Sequence, residues 1–300
     1  MTSVEPIGRV PKVSIGLPVY NGEKYLEAAL KSLLSQTLTD FELIICDNAS
    51  IDRTGEIAER YARADSRIRY FREPQNTGAI RNHNRTIELA RGKYFKWAAH
   101  DDVYAPTFVE RCAAILDTTP DAVLAFSRTR FIDENSRETE DYRHPLDLGL
   151  PNRVRRFLQY IGATHILVED YGLMRRDVLM KTPLLGNYVW SDMVLLGELS
   201  LYGRFVEAPE ILFYRRLHDE RAMQAHTDPK SLTVLNDPRK KSQRILPTWR
   251  LFGGHLSSLT RAPLSFSERA EILGGFARRA NWHRRKLLSE LLVATVGKSF

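Results

Sequence analysis

The sequence predicts an α/β fold, a mostly parallel sheet flanked by helices with a mainly helical C-terminal extension. Three observations carry this expectation. Short apolar runs alternate with helically spaced segments between residues 13 and 127, each run ends in a polar turn, and the alternation fades beyond residue 130.

Val13–Val19 is an apolar run that reads as a strand. The turn Tyr20-Asn21-Gly22 follows, and Glu23–Gln36 then carries Leu26, Leu30, Leu33 and Leu34 at helical spacing. Phe41–Cys46 is the next strand. It ends in the polar stretch from Asp47 to Thr54, with a helix beyond it through Arg63. Ile68–Phe71, Tyr94–Ala98 and Ala122–Ser127 read as further strands, and Ala79–Ala90 and Pro106–Leu116 as helices. Strands joined through helices run parallel with right-handed crossovers, and ligands bind beyond their C-terminal ends. That edge receives Tyr20, Asp47, Asn76 and Asp101. Farther on, the charged run Asp133–Arg143 and then Pro145, Gly149 and Pro151 predict a loop or boundary, and Arg215–Pro247 predicts a loop before the final helices.

Three hundred residues, 43% of them apolar, suffice for a large folded core. Two cysteines, Cys46 and Cys112, exclude a disulfide framework and a thiolate zinc cluster, which fits a reducing compartment. Residues 1–12 lack the apolar stretch of a secretory signal, and no window approaches the roughly 18 apolar residues of a spanning helix. A cytoplasmic protein, one that also works at the inner face of the membrane, is the expectation. The net charge of +7 calls for an anionic partner. Arg278, Arg279, Arg284, Arg285 and Lys286, beside Phe276 and Trp282, read either as a basic surface for anionic lipid or as a solvated helix face. No nucleic-acid motif accompanies the charge, so no nucleic acid is expected.

His100-Asp101-Asp102 follows a strand at the ligand edge. Its acids suit Mg²⁺ or Mn²⁺, which take oxygen ligands from one or two carboxylates and from substrate phosphates, and they equally suit the cap of the next helix. Asp47 ends a strand where a carboxylate can meet a base or ribose, or close an Asx turn. The glycine fingerprints of dehydrogenases and P-loop enzymes are missing, which disfavours both classes. Asp192 lies in the apolar segment Val189–Leu195, where a carboxylate is a helix cap or a desolvated general base. His218, beside Arg215 and Arg216, suits a metal or a diphosphate.

Four segments in order, VSIGLPVYNGEKYLEAALKSLLSQT, FELIICDNASIDRT, QNTGAIRNHNRTIELARGKYFKWAAHDD and WSD, resemble glycosyltransferase family 2, whose members have the Rossmann-like GT-A fold. The resemblance covers residues 12–218. It implies a tail at 1–11, a catalytic domain at 12–218 with a nucleotide-sugar half (12–130) and an acceptor half (131–218), and an extension at 219–300. It further implies an inverting transfer of a sugar from a nucleotide-diphosphate donor, a UDP-sugar foremost, to a hydroxyl of a glycan or lipid-linked acceptor in polysaccharide or cell-envelope synthesis. Pro18, Val19, Tyr20 and Glu23 match the base-holding turn, and Asp47 the uracil or ribose position. Asn76, Gly78, Arg81 and Asn82 match the donor-lining segment. Ala99-His100-Asp101 stands on the family's acidic D-x-D signature, which puts His100 and Asp101 at the donor and a divalent metal at Asp101, Asp102 and His218. Asp192 matches the catalytic base. Ser191 replaces a glutamate common before that base, and Ala99 replaces the signature's first acid, the latter making a catalytically silent nucleotide-sugar-binding scaffold the alternative.

Overall fold

The computed structural model describes residues 10–163, 166–218, 229–240 and 246–296. Among these, strands β1 (Val13–Val19), β2 (Phe41–Asp47), β3 (Ile68–Arg72) and β4 (Tyr94–Trp97) alternate with helices α1 (Leu26–Leu34), α2 (Thr54–Ala64) and α3 (Ala79–Glu88). β1 pairs in parallel with both β2 and β4, and β2 with β3. Every residue of β1 and β2 is buried, the continuous apolar pattern of strands covered on both faces. Leu26, Ala29, Leu30 and Leu33 form the buried stripe of α1. At Gly16 a Cβ would lie 2.4 Å from Thr86 Oγ1, so glycine lets α3 close onto β1.

The second half adds β5 (Val103–Tyr104), α4 (Phe108–Thr118), β6 (Ala122–Ile132), β7 (Glu138–Tyr142), α5 (Arg153–Gly162), β8 (Leu173–Arg175), α6 (Arg176–Leu179), α7 (Ser191–Tyr202) and β9 (Arg204–Arg216). The sheet order is β3-β2-β1-β4-β8-β6-β9-β5, with β7 paired to β6. β6 and β9 run parallel, while β8 is antiparallel to both β4 and β6, so the sheet is parallel where the βαβ repeat is legible and mixed beyond it. Two expected loops differ. The charged run from Asp133 contains β7, an exposed edge strand held to β6 by Arg130 with Asp141 at 2.6 Å and with Glu138. Arg215 and Arg216, expected in a loop, end the 13-residue strand β9.

Helices α8 (Pro229–Asn236), α9 (Pro247–Arg261), α10 (Phe266–Trp282) and α11 (Arg284–Val296) complete the described chain. Parts of the expected 215–247 loop, at 219–228 and 241–245, lie outside the described residues, as do residues 1–9 of the tail. Leu259, Ala262, Leu264, Ile272 and Phe276 join the main apolar core. Glu198, fully buried on α7, accepts two hydrogen bonds from Arg261 at 2.8 and 2.6 Å and so ties α9 down. Phe276, expected on a basic surface, packs instead beside Phe157 and Phe252 because its face of α10 meets α5. The Trp282 side chain lies outside the described residues. No described helix is long and apolar enough to cross a membrane.

Candidate functional site

The C-terminal ends of the parallel strands open into a cavity of about 460 Å³. β1 supplies Pro18 and Val19, and the following turn supplies Tyr20. Asn76 comes from the turn before α3 and Asn82 from α3 itself, while His100, Asp101 and Asp102 follow β4. Arg215 and His218 come from the far side, at the end of β9 and just past it. Thus most residues expected at the donor site meet on one wall.

Four do not line that cavity: Glu23, Asp47, Gly78 and Arg81. Asp47 is fully buried. Its Oδ1 accepts from Ser50 N at 2.8 Å, and its Oδ2 from the Tyr70 hydroxyl and Arg72 Nη1, each at 2.9 Å. The carboxylate therefore shapes the 47–54 loop from below. Glu23 Oε2 accepts from Arg53 N at 2.9 Å and pins the same loop to the turn after β1. Arg81 pairs with Glu88 at 2.7 Å on an exposed face of α3. Gly78 has φ +91°, and a Cβ there would lie 2.1 Å from Asn236 O, so glycine admits the C-terminal end of α8 over the cavity. Asp47→Ala strands Tyr70 and Arg72 and should lower stability by about 2–3 kcal/mol, read from urea unfolding.

Sequence reasoning passed over Asn48, which takes the cavity position beside Asp47. Its Nδ2 donates to Asn76 Oδ1 at 2.9 Å and its Oδ1 accepts from Thr77 N at 2.8 Å, coupling the loops that follow β2 and β3. Asn82 Nδ2 donates to Cys46 O at 2.8 Å, while its buried Oδ1 has no partner among the described residues. An orphaned acceptor on a cavity wall is suited to a ligand's donor group.

At the acidic end, Asp101 Oδ2 and His218 Nε2 stand 2.9 Å apart, both nearly buried. Asp102 turns toward the protein, and its Oδ1 accepts from Arg216 N at 2.8 Å. Arg216 itself bonds to Asp101 O, Asp133 O, Glu134 O and Ser136 Oγ. The described residues contain no group of three or more metal-ligating side chains. One carboxylate and one imidazole nevertheless suit an octahedral cation whose remaining ligands are diphosphate oxygens and water.

A second cavity, of about 240 Å³, shares Ala79, His83, Tyr171 and Leu235 with the first. Asp192 enters it from the first turn of α7, after Trp190 in a left-handed conformation (φ 68°). Its Oδ1 accepts from Met193 N at 2.8 Å, and burial raises its carboxyl above the ordinary range. His83 Nδ1 lies 2.8 Å from Ala79 O, and burial lowers this imidazole's pKa, which keeps it neutral between the two cavities.

The second cavity also holds Asp170, from the 3₁₀ turn Glu169–Tyr171, a residue that sequence reasoning missed. The acidic pair Glu169-Asp170 before β8 was a signal of the same kind as His100-Asp101-Asp102. Burial pushes the Asp170 carboxyl from 3.8 up to about 7; Arg215 opposes the rise, whereas Asp192, Glu169 and Asp102 add to it. A carboxyl raised in the folded state keeps a proton that the unfolded chain releases, so it subtracts stability as pH climbs from about 4 to 7. Asp170→Asn should accordingly melt higher than the native protein at pH 8 and equally at pH 4, in paired thermal scans.

With this geometry in view, the likenesses to known proteins agree. The family described as Glycosyl transferase family 2 matches residues 14–182. An uncharacterized glycosyltransferase of Rickettsia typhi is 35% identical over 233 residues, 76% of this chain and 69% of that protein. One of Methanocaldococcus jannaschii is 28% identical over 173 residues, 57% of this chain and 58% of that protein, so the chain spans little more than half of that relative. Among solved structures, S. aureus TarS 1–349 in complex with UDP-GlcNAc aligns over 90% of this chain and 72% of its own, at TM-score 0.65 and 18% identity. The mannosyltransferase PcManGT of Pyrobaculum calidifontis, in complex with GDP-Man and Mn²⁺, aligns over 95% and 86%, at TM-score 0.54 and 16% identity. These structures share its GT-A fold. A sheet whose parallel strands end in one cavity, with a matching family profile over more than half of its length, makes this chain a member of glycosyl transferase family 2.

Proposed function

We propose that the protein is an inverting glycosyltransferase that moves a sugar from a nucleotide-diphosphate donor, a UDP-sugar foremost, to a hydroxyl of a glycan or lipid-linked acceptor. The observation that carries this reading is the adjacency of the two cavities across Ala79, His83, Tyr171 and Leu235, the first lined by the β1, β2 and β4 ends and the second holding Asp192. In it, Pro18, Val19, Tyr20 and Asn48 receive the nucleoside, Asn76 and Asn82 the ribose and diphosphate, and Asp47 and Glu23 hold those loops in place. His100 and Asp101 lie at the diphosphate. The acceptor oxygen attacks the anomeric carbon opposite the nucleotide, its proton passes to an Asp192 oxygen, and the anomeric C–O bond breaks toward the diphosphate. Attack from the opposite face inverts the centre. Asp101 and His218 would hold a divalent cation, Mn²⁺ or Mg²⁺, which when bound neutralises charge on the diphosphate. Asp102 supports that position through Arg216.

Calorimetric titration with UDP, GDP, dTDP and CMP, with and without Mn²⁺, tests the donor site. UDP should bind most tightly, Mn²⁺ should tighten it, and Asp101→Ala should abolish at least about tenfold of that gain. Binding by none of the four would refute the donor reading. Nucleotide-sugar binding with neither transfer nor hydrolysis would instead favour the silent scaffold.

The membrane reading now rests on α11. Arg284, Arg285 and Lys286 are exposed there beside Leu288 and Leu292, which are 59% and 62% exposed. Lys286 Nζ lies 5.3 Å from the centre of the Trp190 ring, which sets this helix beside the Asp192 cavity, where a lipid-linked acceptor would arrive. The protein should sediment with phosphatidylserine vesicles at low salt, and about 0.5 M salt should release it. Equal retention on neutral vesicles would contradict an electrostatic contact.

A further inference from the structure

Asp170 and Asp192 open into the same cavity of about 240 Å³, from different elements, and the proposed transfer uses only Asp192. Asp170 Oδ1 is shielded from solvent and has no hydrogen-bond partner among the described residues. Arg215, the cation that opposes its raised pKa, spends Nη1 on Leu167 O. A carboxylate left so is costly for the fold, and such groups persist where a ligand completes them. Tyr188, Val189, Trp190, Leu232 and Leu235 give much of the remaining wall an apolar or aromatic surface, with His83, Ser191 and Asn236 as further polar residues. Flat apolar walls with a few fixed polar atoms suit a ring that carries C–H surface on its faces and hydroxyls on its rim.

We propose that Asp170 is a specificity residue of the acceptor subsite, where it accepts a hydrogen bond from a second hydroxyl of the sugar ring whose reacting hydroxyl faces Asp192. The inference rests on the transferase reading and deepens it: the acceptor's terminal unit is a sugar ring with two hydroxyls on one edge, not a lone alcohol. A site built around a hydroxyl rejects the analogue that lacks it, because the protein's own acceptor is then left unpaired.

The experiment titrates the full chain, saturated with whichever nucleotide binds most tightly, with methyl glucoside, galactoside, mannoside and N-acetylglucosaminide, and then with monodeoxy versions of the best binder. At least one glycoside should bind. Asp170→Leu, which keeps the branched shape and offers no acceptor, should weaken it by about tenfold or more with nucleotide affinity unchanged, whereas Asp170→Asn should melt higher than the native protein at pH 8. One deoxy analogue should lose affinity for the native protein and lose nothing further in Asp170→Leu, which identifies the hydroxyl. The proposal is overturned if Asp170→Leu binds glycosides as the native protein does, if Asp170→Asn melts lower than native at pH 8, or if the nucleotide-bound native protein takes none of the four. Absence of nucleotide binding would sink the donor reading, and this inference with it.

Discussion

Asp192→Asn should bind nucleotide within about twofold of the native protein while losing at least about 10²-fold in kcat, the scale on which a positioned general base contributes. The substitution is nearly isosteric, and the hydrogen bond that the carboxylate accepts from Met193 N at 2.8 Å can be made equally by an amide oxygen. Asp192 lines the second cavity and not the nucleotide cavity. The base must be deprotonated, and burial raises its carboxyl, so native activity should rise with pH through an inflection above the ordinary carboxylate range. That limb should vanish in the variant. Native kcat in Asp192→Asn would remove this residue from proton transfer, whereas a parallel loss of nucleotide affinity would mean the substitution had disturbed the fold of α7.

Arg216→Met should cost about 3–5 kcal/mol of stability, the scale for stripping a buried cation from its acceptors. Arg216 is 1% exposed. Its Nε donates to Asp101 O and its Nη1 to Asp133 O, each at 2.8 Å, and Nη1 also reaches Glu134 O and Ser136 Oγ. The guanidinium lies 4.7 Å from the centre of the Tyr25 ring, and that ring is 4.8 Å from the ring of His218. Methionine keeps much of the volume and supplies none of the donors. The loss should therefore appear twice, as a lower urea midpoint and as a weaker Mn²⁺ effect on nucleotide binding, because the same side chain places the backbone of Asp101. A midpoint within about 1 kcal/mol of native would show that the acceptors find water and that this residue does not organise the site.

The sequence by itself determined the βαβ part of this protein, because burial on two faces and helical spacing are local patterns. Val13–Val19 is bounded identically in sequence and structure, and the strand at Phe41 is longer only by Asp47. The chain also declared which acids and which histidine stand near strand ends, and Asp101 and His218 do meet, at 2.9 Å. Tertiary structure alone decided the mixed half of the sheet. β9 owes its strand geometry to β6 and β5 on either side, and β7 to the pairing of Arg130 with Asp141, partners that no periodicity announces. It also decided the direction of polar side chains. Asp47 and Asn48 are adjacent in sequence, yet Tyr70 and Arg72 draw Asp47 under the loop while Asn48 reaches the cavity. Asp170 lies in a three-residue turn with no periodicity of its own. It became a site residue only when α7 carried Asp192 to the same cavity, since desolvation and unmet hydrogen bonds are properties of an assembled environment rather than of a residue.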